Sequence, residues 1–401
     1  MKKLKNDSLA KMILTCSYST ALSSHVDNFY CGDVNLWRDV FTKAQLDLLV
    51  GCREGESVSL ESGRVLKEFD VKKRMTVRFD QWQPSDRSEA APLPKLGRWY
   101  PQGYLVGVAT IFPQILAPMR VVGQSEEMLE VDCNHPMAGK EVKVTAALEK
   151  IENRNKERGG RCSDWIDEAL SEGPGMQVFM KNNTVDYREN RGYHRQLDGD
   201  DSSFYAQPRH VSHIDSQAQQ HLAASLQNNL TDNIKVLDLM ASIQSHLPMH
   251  YNAYGLGMNQ EEMAANPNLS EWYVHDLNRK PKLPFGDKSF HMIMCHLSIE
   301  YLLHPYKVIA DCARILKDNG TMFISFSNRW FPEKVTRIWQ MLHEFERVGY
   351  VMDMLNESFS ELQTVSYRNW PRPFDDPHIL TQQLSDPVYI VTGRKKQLRS
   401  I

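Results

Sequence analysis

The sequence lacks the features that would place the protein in a membrane, on nucleic acid or in an oxidising compartment. Its 401 residues contain no apolar run long enough to span a bilayer. The 47 basic and 50 acidic residues give a net charge of only -3, so no strongly basic surface for nucleic acid is expected. The seven cysteines are odd in number and never in C-x-x-C spacing, which argues against a disulfide framework and a zinc site. We therefore expect a cytoplasmic protein without a bound metal, and neither nucleic acid nor a membrane as partner.

The first sixteen residues resemble a secretory signal only superficially. They read M-K-K-L-K-N-D-S-L-A-K-M-I-L-T-C, in which Lys11 interrupts the apolar stretch. What remains is shorter than the apolar region that a signal peptide requires. Export is therefore not expected.

The length and the changing rhythm of the chain predict two domains. A chain of 401 residues exceeds one ordinary hydrophobic core. Residues 1–152 favour β-strands, with alternating stretches such as 141–151. A polar segment then opens an irregular linker over 153–203. Residues 204–395 alternate helix and strand, which is typical of a doubly wound, mostly parallel sheet.

The expected elements of this second domain can be placed along the chain. We predict helices at 209–229, 260–265, 304–316 and 331–347, and strands at 234–239, 271–275, 290–295, 320–327, 362–367 and 388–392. In such a sheet the carboxyl ends of parallel strands meet at one crevice, where ligands bind. The functional residues are therefore sought just after these strands.

The glycines usual in a cofactor loop are missing after the first of these strands. Residues 234–242 read I-K-V-L-D-L-M-A-S, an apolar run closed by Asp238. Glycine-rich loops follow such strands in nucleotide-cofactor domains because glycine lets the backbone approach the ligand. Met240, Ala241 and Ser242 stand there instead. The sequence therefore predicts a cofactor crevice with an unusual set of contacts.

Two later segments carry a family resemblance. Residues 276–295 read D-L-N-R-K-P-K-L-P-F-G-D-K-S-F-H-M-I-M-C, and 314–326 read R-I-L-K-D-N-G-T-M-F-I-S-F. With the strand at 234–239, they resemble the class I S-adenosylmethionine-dependent methyltransferases, particularly type 11, over about 205–350. The resemblance implies a Rossmann-like fold, S-adenosylmethionine as cofactor and S-adenosylhomocysteine as product.

The same resemblance implies a set of cofactor contacts. The loop after Asp238 would line the methionine moiety, and Asp276 with Leu277 would meet the adenine. An acidic residue usually holds the ribose hydroxyls at the end of the second strand, but Gly257 stands here, with Asn259 as a substitute. The full predicted set is Asp238, Met240, Ala241, Ser242, Gly257, Met258, Asn259, His275, Asp276, Leu277, Cys295, Leu297 and Ser298.

The candidate catalytic residues are His246, His296, Tyr205 and Arg209. Both histidines fall just beyond predicted strand ends, and Tyr205 and Arg209 belong to a segment that resembles the cover of the cofactor in related enzymes. Pro248 separates His246 from His250, so this pair does not suggest a metal site.

The expected chemistry is methyl transfer to a small-molecule acceptor. Methyl transfer needs mainly alignment, and a base is required only when the acceptor is not ionised. A thiol is partly ionised near neutral pH. Since the sequence shows no obvious base, we favour a small thiol or sulfide as acceptor.

The amino-terminal part carries a second resemblance. Residues 131–140 read V-D-C-N-H-P-M-A-G-K and 48–58 read L-L-V-G-C-R-E-G-E-S-V. They resemble FKBP-type peptidyl-prolyl isomerases with an insert in the flap, which would lie at about 75–128. Asn134 and His135 are expected in a structural turn rather than in catalysis.

Two alternatives remain open. The chain would be a peptide-binding, chaperone or prolyl isomerase protein with a degenerate methyltransferase scaffold, or a protein methyltransferase whose first domain presents a peptide. Peptide at the amino-terminal domain and a second copy in a homodimer are the corresponding partners.

Overall fold

The computed structural model describes residues 2–60, 68–84, 92–155, 158–171, 173–180, 185–187 and 191–397, without the side chains of 153–155. Parts of the predicted flap insert and linker therefore lie outside the described residues. The strands are β1 Ser8–Ser19, β2 Ser23–Asn35, β3 Ser57–Leu60, β4 Arg74–Arg78, β5 Trp99–Pro101, β6 Pro118–Gln124, β7 Met128–Asp132, β8 Lys143–Asn155, β9 Val236–Leu239, β10 Ala253–Gly257, β11 Leu269–Val274, β12 Phe290–His296, β13 Leu316–Phe326, β14 Phe359–Arg368 and β15 Val388–Lys395. The α-helices are α1 Lys43–Leu49, α2 Trp165–Ser171, α3 Asp201–Phe204, α4 Ser216–Gln227, α5 Gln260–Ala265, α6 Pro305–Ile315, α7 Arg337–Met341 and α8 Glu344–Asn356.

Within the described residues, eleven strands form one mixed sheet in the order β11-β10-β9-β12-β13-β15-β14-β2-β1-β8-β3. The five strands from β11 to β13 are parallel, and β15 runs antiparallel between β13 and β14. β9 and β12 are buried along almost their whole length, as expected of parallel strands covered on both faces, whereas β11 at the edge is mostly exposed. The Rossmann-like prediction for the second half is supported, but the sheet as a whole is mixed rather than mostly parallel.

The strand order creates a crevice beside β9. The chain moves from β9 outward to β10 and β11, then returns to place β12 on the other side of β9. Loops leaving the carboxyl ends of β9 and β12 therefore diverge. Ligands bind at such switch points in open α/β sheets.

The amino-terminal strands extend this sheet. β2 pairs in parallel with β14, from Leu362 opposite Ser23 to Arg368 opposite Phe29. A buried ion pair between Arg368 and Asp27, with Nη2 2.6 Å from Oδ2, crosses the seam. The sequence predicts none of this pairing. The FKBP-like identity of the region stays a prediction.

A separate four-stranded sheet, β4-β7-β6-β5, occupies the position of the predicted flap insert. Arg98 in this region donates to Glu346 of α8 over 2.6 Å, and both side chains are buried. The same carboxylate accepts the backbone N–H of Trp99 over 2.9 Å. The insert is thus fastened to the carboxyl-terminal half.

The described parts of the linker pack on both halves. Ile166 and Leu170 of α2 join the core of the amino-terminal strands. Met176 and Tyr187 belong to the core around α6 and α8. The described part of the linker thus contains the helix α2 and contributes side chains to both cores.

Two predicted helices have wrong bounds. The helix predicted at 209–229 begins at Ser216, because Asp215 accepts the N–H groups of Gln217 and Ala218 and so caps it there. The helix predicted at 331–347 is instead α7 and α8, separated where His343 caps α8. Residues 209–213, which precede the first of these caps, are therefore not helical, and most of them line the crevice. In the described part of the chain, no helix is both long and apolar enough to cross a membrane.

Candidate cofactor and acceptor site

A cavity of about 510 Å³ lies at the carboxyl ends of β9 to β12. Its volume falls within the range of small-molecule sites, roughly 300–1,000 Å³. Residues 238–246 and 257–259 form one wall together with Glu262, and 275–278 with 296–302 form the floor. The remaining walls come from 201–213, 329–331 and 377–378. The cavity therefore sits where the strand order predicts a ligand.

The structure brings most of the predicted site residues to this cavity. Its lining includes Tyr205, Arg209, Asp238, Met240, Ala241, Ser242, His246, Gly257, Met258, Asn259, His275, Asp276, Leu277, His296, Leu297 and Ser298. Cys295 is the exception: its side chain is fully buried in the core beneath the sheet. Successive residues of a strand face opposite sides, so Cys295 packs in the core while the next residue, His296, lines the cavity. The prediction that Cys295 lines the site is wrong.

The loop at 240–242 contains no glycine, yet one of its residues has the positive φ that glycine favours. Met240 has φ +62°, in the left-handed region that costs an ordinary residue about 1–2 kcal/mol. The next residue, Ala241, donates its backbone N–H to the carbonyl of Leu256 over 2.9 Å. The backbone at position 240 thus has the conformation expected of a glycine-rich loop, with methionine in place of glycine.

This close approach explains why glycine follows at the end of β10. A Cβ atom on Gly257 would lie 2.2 Å from the carbonyl oxygen of Ala241 and 3.0 Å from Sδ of Met263. A strand-end carboxylate at 257 is therefore sterically excluded. The two departures from the family pattern, at 240–242 and at 257, are one coupled packing arrangement.

Three residues of the cavity lining have a strained backbone. Besides Met240, the lining residues His246 and Leu297 have φ of +53° and +50°. Strain of this kind persists where the surrounding structure enforces it, and it clusters at ligand sites. The loops after β9 and β12 are thus held in unfavourable conformations on both sides of the switch point.

Asp238 is a buried carboxyl group in the cavity wall. Its side chain is 2% exposed and accepts a hydrogen bond from Ser245 Oγ over 2.6 Å. Ser245 in turn accepts from the amide of Asn266 over 2.9 Å. Burial raises the pKa of Asp238 to about 7, against the smaller lowering effect of the Ser245 hydrogen bond. The group therefore titrates near neutral pH.

Asn259 is not placed to serve a ligand through its amide. Its Oδ1 accepts the N–H of Glu262 over 3.0 Å. Its Nδ2 donates to the carbonyls of Tyr205 and Ala206 over 2.9 and 3.3 Å. The amide holds the covering segment against α5, so the predicted hydrogen bond from Asn259 to a ribose is not supported.

Glu262, which the sequence interpretation missed, lines the same wall. Its side chain accepts the hydroxyl of Ser242 over 2.6 Å and the backbone N–H of Arg209 over 2.7 Å. It is only 8% exposed. The sequence indicates this role only weakly. Acidic residues are common in the first turn of a helix, so Glu262 is easily explained by helix stabilisation alone.

The other strand ends supply polar groups to the floor. Asp276 accepts the N–H groups of Asn278 and Arg279 through Oδ1, over 2.8 and 3.2 Å. This turn fixes the carboxylate after β11. His275 is fastened to the carbonyl of Lys280 over 2.8 Å.

Two histidines of the cavity, His246 and His296, are held neutral by burial. Burial, with a smaller contribution from His213, lowers the pKa of His246 to about 4. Burial also places the pKa of His296 well below its usual value. His296 Nδ1 lies 2.7 Å from Ser325 Oγ, whereas its buried Nε2 has no partner among the described residues. The imidazoles can donate or accept hydrogen bonds but are weak bases.

An aromatic wall faces the strand ends. The guanidinium of Arg209 lies 4.5 Å from the ring centre of Phe204 and 5.1 Å from that of Phe331. Arg329, which follows β13, has Nη1 3.6 Å from the buried carboxylate of Asp386. Phe331 and His378 were also missed, because they follow no recognisable motif.

The segment 201–213 forms a cover over one side of the cavity, and Asp201 fixes this cover in place. Arg195 donates to both of its carboxylate oxygens over 2.9 and 3.0 Å, and Lys334 lies 2.8 Å from Oδ1. Asn278 adds a bond over 2.8 Å. α3 is thus tied to the floor of the cavity and to the segment after β13. Among the residues that the structure describes, no group of three or more His, Cys, Asp or Glu side chains is arranged to hold a metal ion.

Comparisons with known proteins give a coarse assignment. Residues 238–324 match the family model of a methyltransferase domain, and no curated protein matches the chain significantly. A Thermotoga maritima structure, described as an S-adenosylmethionine-dependent methyltransferase and possible histamine N-methyltransferase, shares 14% identity over 45% of this chain and 90% of its own, with a TM-score of 0.33. An S-adenosylmethionine-dependent methyltransferase from Mesorhizobium loti shares 13% over 44% and 100%, with a TM-score of 0.29.

Because both TM-scores lie below 0.5, nothing about the substrate or reaction of this chain follows from those two structures. The family match covers the loop after β9 and the strands through β13, which surround the cavity. The comparison therefore shows that residues 238–324, which surround the cavity, are similar to a methyltransferase domain.

Proposed function

We propose that the protein is an S-adenosylmethionine-dependent methyltransferase acting on a small-molecule acceptor, with a small thiol or sulfide as the favoured class. The observation that carries the proposal is the cavity at the β9 switch point, inside the segment that matches a methyltransferase domain. Side chains of the segment 201–213 line one side of the cavity. A small acceptor suits a cavity of about 510 Å³ better than a protein chain does.

The residues present fit the cofactor. S-adenosylmethionine carries no phosphate, so the dense cradle of backbone amides that a pyrophosphate needs is not required. Gly257 lets the backbone of Ala241 pack against the end of β10, which holds the small residues of the loop at the cavity. Asp238 offers a carboxylate to the cationic methionine end, and Asp276 with Leu277 would hold the adenine. Nε2 of His296 has no hydrogen-bond partner among the described residues, so this atom is available to the ligand.

S-adenosylmethionine supplies an activated methyl group: the acceptor lone pair forms the new bond while the carbon–sulfonium bond breaks and its electron pair returns to the cofactor sulfur. The protein orients the acceptor and excludes water, which account for most of the acceleration in such transfers. Phe331 and Arg209, which stacks on the Phe331 ring, form a wall that excludes water on the acceptor side.

The neutral histidines favour an acceptor that reaches the site already ionised. An imidazole whose pKa is about 4, as at His246, is too weak to remove a proton from a group with a pKa near 8.5. His246 and His296 would therefore position the acceptor by hydrogen bonds. A thiol is partly ionised at neutral pH, and its thiolate needs no general base.

A panel of acceptors tests the proposal. The protein is incubated with methyl-labelled S-adenosylmethionine and small thiols, sulfides, alcohols and amines at equal concentration. We expect labelled S-methyl products from at least one thiol or sulfide. Product from amines or alcohols alone would contradict the thiol assignment, and label bound to protein would favour the protein methyltransferase alternative.

We propose that the amino-terminal region is an FKBP-like unit whose role is structural rather than catalytic. Asn134 donates to Asp70 O and Asp132 Oδ1 over 2.9 Å each, and Met137 N donates to His135 Nδ1 over 3.1 Å. These bonds support the structural-turn interpretation of the D-C-N-H-P motif. Measurement of prolyl isomerisation on the full chain tests whether the unit is also catalytic.

A further inference from the structure

We propose that Glu262 is the residue that binds the ribose hydroxyls of S-adenosylmethionine, replacing a carboxylate at the end of β10. This inference rests on the proposed function, since it concerns the cofactor of the same site. Its first support is steric. Any side chain at 257 would meet the carbonyl oxygen of Ala241, where a Cβ would be only 2.2 Å away.

The second support is the state of the Glu262 carboxylate. It is buried in the cavity wall and accepts two hydrogen bonds, from Ser242 Oγ and Arg209 N. In the described part of the chain, no cationic side chain lies within salt-bridge distance of it. A carboxylate offers about four acceptor sites, so two remain open for hydroxyl donors. A buried charge without a cation requires further hydrogen bonds.

The third support is the order of the carboxylates along the crevice. The strands lie in the order β11, β10, β9. Asp276 follows β11, Glu262 follows β10 on α5, and Asp238 lies in β9. S-adenosylmethionine is likewise linear, with ribose between adenine and methionine. With adenine at Asp276 and the methionine end at Asp238, the central carboxylate meets the ribose.

The neighbouring helix residue provides a matched control. Glu261 precedes Glu262 in the first turn of α5 and is exposed, whereas Glu262 is buried. Glu261→Gln and Glu262→Gln therefore remove the same charge from the same helix turn. They differ in whether the carboxylate faces the cavity.

The test is calorimetric binding of two probes to the full chain, 5′-methylthioadenosine and its analogue lacking both ribose hydroxyls. In the wild type and in Glu261→Gln we expect a preference of about 10- to 100-fold for the hydroxylated probe, the usual effect of hydrogen bonds to a charged group. In Glu262→Gln we expect the preference to fall below about threefold. The ratio is measured within each protein, so an overall loss of affinity does not obscure it.

An unchanged preference in Glu262→Gln would overturn the inference. So would equal loss of both probes in a variant that melts like the wild type, because the carboxylate would then not act through the hydroxyls. Binding of S-adenosylhomocysteine to the wild type is measured alongside. Its absence would refute the proposed function itself, whereas its presence with an unchanged ratio would refute only the assignment of Glu262.

Discussion

At the scale of single residues, Asp238 couples the cavity to pH. Burial raises the pKa of this carboxyl to about 7 in the folded chain, above its ordinary value of 3.8. The protonated form therefore stabilises the fold below about pH 4, and this contribution is lost as the pH rises through 7. The slope is at most about 1.4 kcal/mol per pH unit for one group. A cationic ligand beside Asp238 has the opposite preference, because it favours the ionised form.

The variant Asp238→Asn separates these two effects. Above pH 7 we expect the ligand-free variant to be more stable than the wild type by about 1 kcal/mol or more, since it removes a buried charge. We also expect at least about tenfold weaker binding of S-adenosylmethionine, because a charge-assisted contact is lost. Urea unfolding and calorimetry at pH 6 and 8 measure both.

Asp232→Asn is the control, because Asp232 is exposed in the turn before β9. It should change neither quantity. If Asp238→Asn were less stable than the wild type at pH 8, or bound the cofactor equally well, the role assigned to Asp238 would be wrong.

Gly257 carries the second prediction at this scale. In Gly257→Ala the new methyl group meets backbone rather than a flexible side chain, so we expect a loss of about 3 kcal/mol in the free energy of unfolding. Gly159→Ala, whose Cβ would have nothing within 4 Å, should stay within about 0.5 kcal/mol of the wild type. Urea unfolding decides, and equal stability of the two variants would contradict the coupled packing of 257 with the loop after β9.

At the scale of elements, the seam between β14 and β2 is the most consequential contact. Arg368 donates to Asp27 from Nη2 over 2.6 Å and from Nε over 3.0 Å, and both side chains are buried. Ser366 adds a hydrogen bond of 2.5 Å to the same carboxylate. The pair fastens the amino-terminal strands to the carboxyl-terminal half.

We expect Asp27→Ala to lose about 3–5 kcal/mol, because it leaves the Arg368 guanidinium buried without its counter-ion. The double variant Asp27→Leu with Arg368→Met should lose less, since it removes both charges together. The free energies come from urea unfolding of each protein. A double variant less stable than Asp27→Ala would contradict the view that the unpaired guanidinium causes the loss.

The sequence predicted local elements better than their assembly. Strands such as β12 are visible as apolar runs, and α5 falls at the predicted residues 260–265. The pairing of β14 with β2 joins residues more than 300 positions apart, and no local pattern encodes it. Likewise, glycine at 257 was noticed as a missing acid, but its cause lies in the carbonyl of Ala241 across the loop.

At the scale of the whole molecule, the continuous sheet predicts that both halves unfold together. Removal of residues 1–155 would expose the edge of β14, including the buried Thr364 and Ser366. We expect the truncated chain to be insoluble or to lack a cooperative transition, and the full chain to show one calorimetric transition. Two separate transitions, or a truncated chain that folds and binds S-adenosylhomocysteine, would contradict this coupling.

The most direct test of the central claim is calorimetric titration of the full chain with S-adenosylmethionine and S-adenosylhomocysteine at pH 8. The structure predicts one site per chain with a dissociation constant on the order of micromolar, and weaker binding in Asp238→Asn. Absence of binding by either ligand to a folded protein would show that the cavity after β9 is not a cofactor site.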